Sequence, residues 1–429
     1  MIGNGCLSSF FWNDNVKFTV NFSSSVSITV SLAENRHCTV FFSLGFSTAA
    51  WAPLIPYAQQ RLLLNHADFG LLLLCAGVGS MLAMPLAGRM ASKFGCRTVL
   101  AVILAAFLFI LPALAISPTS LMMAITLFFF GASAGALGVT VNIQAAQIEK
   151  LMDKSLMSGF HGVCSLGGLV GVLGMTTLMG FGLAPLTGTL VVSVMLLAIA
   201  MLAIPFCLGG QSSTTEETNT ATAKPAKKAL PTFAILGIGL ICFVSFLSEG
   251  AAMDWSGIYL ATQFNVPAAH TGLAYSFFAG LMVLGRFSGH LIIQSLGEKI
   301  TILLSALLAA AGLFMVIFAP VWQVVLTGYA ILGLGSANIV PLMFSRAGRQ
   351  KTMASHVALS YVSVFAYTGS LIGPALVGFG SEIIGLRLVF TVIAVALMSI
   401  VILNHLTAGH KESEKAEGLI AGLDHKTPA

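Results

Sequence analysis

Long apolar runs, separated by short polar segments, fill the chain from about residue 38 to about residue 406. Each run holds about 20 mostly apolar residues, the length that an α-helix needs to cross a hydrocarbon layer about 30 Å thick. Membrane-spanning β-strands would instead alternate polar and apolar residues over shorter segments. Twelve transmembrane helices are predicted, near residues 38–57, 67–88, 98–116, 121–145, 157–180, 185–208, 232–260, 270–294, 299–319, 322–345, 355–380 and 386–406.

The composition supports an all-α integral membrane protein. Hydrophobic residues make up 57 % of the chain, charged residues make up 8 %, and the mean hydropathy is +0.95. Soluble globular chains carry about 25 % charged residues, so this chain lies far outside their range.

The polar segments divide the chain into domains. "GGQSSTTEETNTATAKPAKKALP", residues 209–231, cannot bury apolar area and predicts a flexible cytoplasmic linker. It joins an N-terminal six-helix bundle, residues 36–208, to a C-terminal six-helix bundle, residues 232–406. Residues 407–429 are predicted to be a cytoplasmic tail. Residues 1–35 lack a signal-peptide pattern and predict a poorly ordered extension outside the functional unit.

An internal repeat relates the two predicted bundles. A shift of 202 residues superposes residues in six of the predicted helices: Gly70 on Gly272, Leu71 on Leu273, Gly95 on Gly297, Gly131 on Gly333, Ser158 on Ser360, Gly167 on Gly369 and Gly171 on Gly373. A constant offset with a linker at the join indicates two parallel, pseudo-symmetric halves related by an axis along the membrane normal.

Basic residues set the predicted orientation. With a cytoplasmic amino terminus, the outer loops hold only Arg61 and Arg387, and the other basic residues from Arg89 to Lys351, Arg286 included, lie in the inner segments. Cytoplasmic loops carry the excess of Lys and Arg, so both termini are predicted to be cytoplasmic, in a cell inner (plasma) membrane. The net charge of +5 is then a topological signal, and no nucleic-acid partner is needed to explain it.

The seventh run contains two acidic residues in "FLSEGAAMDW", residues 246–255. A charged group at the bilayer centre costs roughly 2.5 to 3.5 kcal/mol and normally faces a bundle interior or an aqueous cavity. Glu249 is predicted to lie in the outer half of its helix, either as a proton acceptor or substrate contact or as a carboxyl hydrogen-bonded to a neighbouring helix. Asp254 is predicted to act at an outer gate or as a helix cap.

Other polar residues in the apolar runs are candidates for the same cavity. Asn142 and Asn338 could line it with amide groups, and His161 could titrate near neutral pH in coupling or gating, or simply make a helix-end hydrogen bond. Tyr367 lies on a polar face of the eleventh run, repeat-related to that of His161. Trp51 could stack on a sugar ring or anchor at the outer interface.

Glycine and proline mark one predicted bending point. Gly373 and Pro374 lie inside the eleventh run, where proline removes a backbone hydrogen bond and permits a kink. Tight packing alone would also explain the glycine.

Sites for enzymatic chemistry are not found in the sequence. Seven cysteines show no CxxC pair, no His or Cys cluster has metal-ligand spacing, and neither a P-loop nor a Ser/His/Asp arrangement is present. We therefore expect no enzyme, no cofactor, no bound metal and no ATP-driven pump.

The loop after the second run resembles the cytoplasmic signature of the major facilitator superfamily. In "GRMASKFGCR", the residues Gly88, Lys93, Gly95 and Arg97 match that signature, whereas Ser92 stands where an acidic residue is usual. "GRFSGHLIIQSLGEK", residues 285–299, is a looser copy that contains Arg286, and the resemblance implies a cytoplasmic gating loop. The resemblance to this superfamily covers about residues 38–406 and implies a monomeric rocker-switch carrier with one central site.

Three further motifs resemble a bacterial inner-membrane branch related to fucose-type sugar permeases. They are "AAWAP", "FHGVCSLGG" and "SEGAAMDW". We therefore expect a secondary active transporter, a symporter that imports a sugar-like polar solute with protons across the lipid bilayer. An exporter of drug-like or cationic compounds by proton antiport is the alternative, and sodium coupling stays open. The small number of charged cavity candidates disfavours strongly anionic cargo.

Overall fold

The structure, a computed structural model, describes residues 38–152, 157–207, 232–350, 353 and 355–424. The predicted extension at residues 1–35 and the predicted linker at residues 209–231 lie outside the described residues. The helices are α1 (Cys38–Leu62), α2 (His66–Phe94), α3 (Cys96–Ile116), α4 (Ser120–Met152), α5 (Met157–Gly180), α6 (Pro185–Ala203), α7 (Phe233–Phe264), α8 (Leu273–Phe318), α9 (Trp322–Ser336), α10 (Ile339–Arg349), α11 (Ser355–Ile384) and α12 (Leu386–Asp424).

The all-helical prediction is confirmed for the described part of the chain, which contains no β-strand. Within it, eleven helical segments are long and apolar enough to cross a membrane. The helices α9 and α10 together form one of these segments, Trp322–Arg349. The eighth and ninth predicted runs form the single helix α8, interrupted at Gly297 with φ 77° and ψ 164°. Glycine tolerates this positive φ because it has no Cβ. If α8 is divided at Gly297, the number of spans equals the predicted twelve.

Equivalent backbone features recur at the predicted offset of 202 residues. Gly95, between α2 and α3, has φ 80° and ψ 150°, close to the values at Gly297. The close helix contacts recur as well: an added Cβ would collide with the carbonyl oxygen of Ala76 at Gly131 and with that of Phe278 at Gly333. Ala76 and Phe278 are themselves 202 residues apart. The small residues therefore let α4 approach α2, and α9 approach α8, in the same way.

Helix pairs from the two halves pack directly against each other. The helix α2 packs on α11, where Gly70 lies against the carbonyl oxygen of Pro374, at 2.8 Å from an added Cβ. The helix α5 packs on α8, where Gly162 lies against the ring of Phe287. The helix α7 also packs on α8, so α5, α7 and α8 meet around the polar residues that form the candidate site.

Candidate transport site

The helix α7 carries Glu249 at its midpoint. It runs without a break from Phe233 to Phe264, so Glu249 is 16 residues from its start and 15 from its end. The predicted position in the outer half shifts to the centre of the helix, because α7 extends four residues beyond the predicted run. The charge therefore lies deep between the ends of the helix.

Most of the small polar residues near Glu249 are buried. Ser245, Ser248 and Ser256 are each about 1 % exposed, whereas the Glu249 side chain keeps 20 % exposure. The carboxyl group is thus the part of this helix face that reaches the space between helices.

Arg286 is the partner of Glu249. Its Nη2 atom lies 3.8 Å from Glu249 Oε2, and the two side chains are 28 % and 20 % exposed. The prediction that Arg286 belongs to a cytoplasmic gating loop is wrong. It lies inside the membrane-spanning helix α8, 11 residues before Gly297, which is about 16 Å along a helix axis.

A hydrogen bond links this ion pair to the first half of the chain. Arg286 Nη1 donates to Ser165 Oγ on α5 at 2.6 Å. The Ser165 hydroxyl in turn donates to the carbonyl oxygen of His161, one turn earlier, at 3.0 Å. One guanidinium therefore contacts groups on helices from both halves.

The cluster has unused hydrogen-bonding capacity. Within the described residues, Glu249 Oε1, Arg286 Nε, Ser245 Oγ and Ser248 Oγ are buried atoms without a hydrogen-bond partner. Buried polar atoms are normally paired, so each calls for an explanation such as a bound water, ion or solute. This arrangement can bind a polar molecule without displacing a strong existing hydrogen bond.

Aromatic rings border the ion pair. Tyr275, also on α8, lies within electrostatic range of Glu249 and Arg286 and stacks on Phe278 with ring centroids 5.7 Å apart. His161 is exposed and meets the ring of Phe41 edge-on at 5.4 Å. Aromatic side chains with a few placed polar groups are the usual lining of small-molecule sites.

The halves pack closely against each other at the ends predicted to face outward. Gly378 on α11 lies against the backbone of His66 and 3.0 Å, measured from an added Cβ, from the Cα of Gly70. Gly257 on α7 lies at 3.0 Å from Pro56 by the same measure. His161, near the opposite end of α5, is exposed.

Two predicted site residues make hydrogen bonds within the protein. The Asn142 amide donates to the carbonyl oxygen of Gly138 in its own helix at 2.8 Å. The Asn338 amide is buried and donates to the carbonyl oxygen of Gly285 at 3.0 Å, next to Arg286. Asn338 thus joins the start of α10 to the part of α8 that carries Arg286.

The remaining predicted residues contact other side chains or are buried elsewhere in the helices. Trp51 is buried, with its ring 6.3 Å from that of Phe130, and Tyr367 is 52 % exposed, with its ring 6.2 Å from that of Phe246. Asp254 is buried ten residues before the end of α7, so the predicted helix-cap role is wrong. Its outer-gate role stays a prediction.

The predicted gating loop after the second run is wrong for most of its residues. Gly88 and Lys93 lie in α2 and Arg97 lies in α3, so only Gly95 stands between the two helices. Gly88 has open space around it, and Lys93 and Arg97 are exposed. The helix α11 continues through Gly373 and Pro374, so a bend there stays a prediction.

Sequence analysis missed a charged network beside Gly297, the second-half counterpart of Gly95. Glu298, just after Gly297, accepts hydrogen bonds from Arg346 at 2.6 Å and from Arg349 at 2.5 Å. Arg346 also donates to Asn404 Oδ1 at 3.0 Å on α12. The signal was present in the repeat, where an acidic residue follows the loop glycine in one half only.

No group of three or more His, Cys, Asp or Glu side chains lies close enough to hold a metal ion among the described residues. The site is instead an ion pair between membrane-spanning helices, with hydroxyl and aromatic groups around it. Ionisable residues between membrane helices are typical of polytopic membrane proteins that move ions or small solutes.

Comparisons with known proteins agree with this class. The sequence profile of the Major Facilitator Superfamily matches residues 38–349 and 238–424. An uncharacterized MFS-type transporter of Yersinia pestis is 38 % identical over 363 residues, which is 84 % of this chain and 92 % of the relative. The membrane protein MosC of Rhizobium meliloti is 32 % identical over 361 residues, 83 % of this chain and 86 % of MosC.

A solved structure supports the fold. The crystal structure of the nucleoside transporter NupG matches with a TM-score of 0.72 at 12 % identity, covering 87 % of this chain and 99 % of that one. The chain belongs to the major facilitator superfamily and is a membrane-spanning transporter.

Proposed function

We propose that this transporter imports a small, polar, sugar-like solute together with protons, in a bacterial inner membrane with both termini in the cytoplasm. The observation that carries the proposal is the Glu249–Arg286 ion pair at 3.8 Å, inside membrane-spanning helices and joined to Ser165 of the other half. The unpartnered polar atoms of Glu249 and Arg286, with the rings of Tyr275 and His161 nearby, suit a hydroxylated solute more than an apolar one.

Alternating access gives the ion pair a role in coupling. Charged groups inside a membrane are costly and mark ion pathways and proton relays. A proton on Glu249 would weaken its attraction to Arg286 and free the guanidinium for the solute. Because Arg286 also donates a hydrogen bond to Ser165, a movement of its guanidinium would alter the contact between the halves.

The alternative, a proton-antiport exporter of cationic compounds, is less well supported. Arg286 places a positive charge next to Glu249, which repels a cation that approaches the same carboxylate. The motifs that resemble fucose-type sugar permeases favour a polar cargo as well. Nucleosides belong among the solutes to test, because NupG is a nucleoside transporter.

Proton movement in proteoliposomes tests the proposal. Purified protein is reconstituted with a pH-sensitive dye inside, and sugars, nucleosides and lipophilic cations are added outside, with Glu249→Gln beside the unmodified chain. We expect a polar solute to carry protons inward and Glu249→Gln to abolish this in a folded protein. If only cations exchange for protons, the exporter alternative is correct. If both proteins respond alike, Glu249 is a structural carboxyl.

A further inference from the structure

Arg286 makes fewer hydrogen bonds than its guanidinium allows. Its Nη1 atom donates to Ser165, but Nη2 lies 3.8 Å from Glu249, too far for a hydrogen bond, and Nε has no partner among the described residues. An arginine committed to a structural pair normally binds its carboxylate through two short, parallel hydrogen bonds. Glu249 therefore neutralises Arg286 without occupying its donors.

The unused donors suit one chemical group in particular. A guanidinium is planar, and its parallel N–H groups match the two oxygens of a carboxylate. The Arg286 donors lie beside Ser165, at the contact of α5 with α8, so a ligand on Arg286 would touch both halves of the chain. Neutral sugar hydroxyls can also accept from these donors, but only a carboxylate brings a negative charge to the guanidinium and makes charge-assisted hydrogen bonds with it.

We propose that the cargo carries a carboxylate: it is a small hydroxylated monocarboxylate, such as a sugar acid, that binds Arg286 while one proton neutralises Glu249. This inference rests on the proposed function and specifies its substrate class. The sequence prediction against strongly anionic cargo counts few charged residues in the cavity because it assigns Arg286 to a loop, whereas Arg286 lies in α8. One embedded arginine is sufficient for a single carboxylate.

Charge balance explains why such a solute and a proton would move together. The empty site is neutral, because the charges of Glu249 and Arg286 cancel. The site with both a proton and a carboxylate is neutral again, whereas either one alone leaves a net charge inside the membrane, which is costly. The two neutral forms are thus the ones that reorient, and each cycle moves no net charge across the membrane.

Other titratable groups near Glu249 do not supply a second counter-charge at neutral pH. The titratable groups on the elements packed around it include Arg286 and Tyr275 from α8, His161 and Cys164 from α5, Cys242 and Asp254 from α7, and Tyr367 from α11. Tyrosine and cysteine are uncharged near pH 7. Asp254 is five residues further along α7, about 140° round the helix from Glu249.

The test compares solutes that share a carbon skeleton. Proteoliposomes receive neutral hexoses, the corresponding aldonates and uronates, or amino sugars, and internal pH is recorded while valinomycin and potassium set the membrane potential. We expect the acids to drive inward proton movement that the potential does not alter. If neutral hexoses drive it and the acids do not, the carboxylate inference is overturned and the proposed import stands. If only amino sugars exchange for protons, or no polar solute moves protons, the proposed function fails too.

Variants separate binding from coupling. Arg286→Gln is expected to reduce acid-driven proton movement by about 30-fold or more, the equivalent of about 2 kcal/mol for a lost charge-paired hydrogen bond. Glu249→Gln is expected to exchange radiolabelled acid across the membrane without moving protons. Arg387→Gln, an exposed arginine at the start of α12, is the matched control and should behave as the unmodified protein.

Loss of folding would not leave the inference untested. Glu249→Gln combined with Arg286→Gln contains neither charge, so no unpaired charge is left in the membrane. If this double variant still exchanges the acid, or if folded Arg286→Gln transports it normally, Arg286 does not bind the carboxylate and the inference is wrong.

Discussion

Glu249 and Arg286 in the second half correspond, at the offset of 202 residues, to Ser47 and Met84 in the first half. Ser47 is fully buried, and its hydroxyl donates to the carbonyl oxygen of Leu44 in its own helix at 3.3 Å. The first half therefore holds a neutral, internally satisfied position where the second half holds a charge. The helix packing is therefore similar in the two halves, whereas the charged groups of the site lie only in the second half.

The loop ends show the same asymmetry. Glu298 and Arg346, which are joined by a hydrogen bond of 2.6 Å, correspond to Cys96 and Gln144 in the first half. Cys96 and Gln144 are both buried, and Gln144 Oε1 has no partner among the described residues. An ion pair thus joins the helices at this end of the second half, and neutral side chains occupy the same positions in the first.

The largest effect is expected from reversing one charge of the central pair. Arg286→Glu would place two carboxylates together between membrane helices, and we expect the free energy of unfolding to fall by about 3 to 5 kcal/mol, as for an uncompensated buried charge. Thermal unfolding in detergent measures this.

Adding Glu249→Arg to the same chain provides the control. The exchanged pair is again neutral, so most of the lost stability should return. Transport should not return, because the arginine would then stand on α7, away from Ser165. Restored transport would show that the pair serves packing alone.

A smaller loss of stability is expected when Arg346 is replaced by glutamine, the residue at the corresponding position 144 of the first half. Arg346→Gln leaves Glu298 with Arg349 as its remaining partner and removes the bond to Asn404. We expect a loss of about 2 to 3 kcal/mol, because a buried charged group loses its partner. Denaturation in detergent gives the value.

A double variant sharpens this result. Glu298→Cys with Arg346→Gln reproduces the residues of the first half, so its loss should be smaller than the sum of the two single losses. Strict additivity would mean that Glu298 and Arg346 do not stabilise each other.

Glycine substitutions test whether the two halves share their packing. An alanine at Gly131 or Gly333 would collide with a backbone carbonyl, so each should lower the free energy of unfolding by about 1 to 3 kcal/mol. Gly138→Ala is the control, because an added Cβ meets nothing within 4 Å there. Unequal losses at Gly131 and Gly333 in thermal unfolding would show that the repeat does not extend to this packing.

The smallest effects are expected at the two asparagines. Asn338→Ala introduces the residue found at position 136 and removes the bond to Gly285, so it should cost about 1 kcal/mol and weaken transport by shifting Arg286. Asn142→Ala should cost about 0.5 kcal/mol and leave transport unchanged, because that amide bonds only to its own helix. Uptake and unfolding assays on both variants check the difference, and a transport defect in Asn142→Ala alone would reverse the assignment.

The helices and the repeat could be predicted from the sequence because both follow from local patterns. Apolar runs of membrane length have few alternatives to helix, and the loop glycines 95 and 297 are needed for a backbone that other residues rarely adopt. Glu249 was found for the same reason, since a carboxylate in an apolar run is costly.

The partner of Glu249 could not be found in this way. Arg286 was assigned to a loop because its motif copy runs on to Gly297, although the distance of 11 residues between them already places it well inside the membrane. Contacts such as Arg286 to Ser165, 121 residues apart, depend on how the helices pack, and a local pattern does not contain that information.

The central claim is that Glu249, and not its first-half counterpart, takes up the coupled proton. Calorimetric binding of the solute that is active in the liposome assay, in buffers with different ionisation enthalpies, measures proton uptake directly for the unmodified protein, Glu249→Gln and Ser47→Ala. The account predicts that binding takes up protons in the unmodified protein and in Ser47→Ala but not in Glu249→Gln. Unchanged proton uptake in a folded Glu249→Gln that still binds the solute would contradict it.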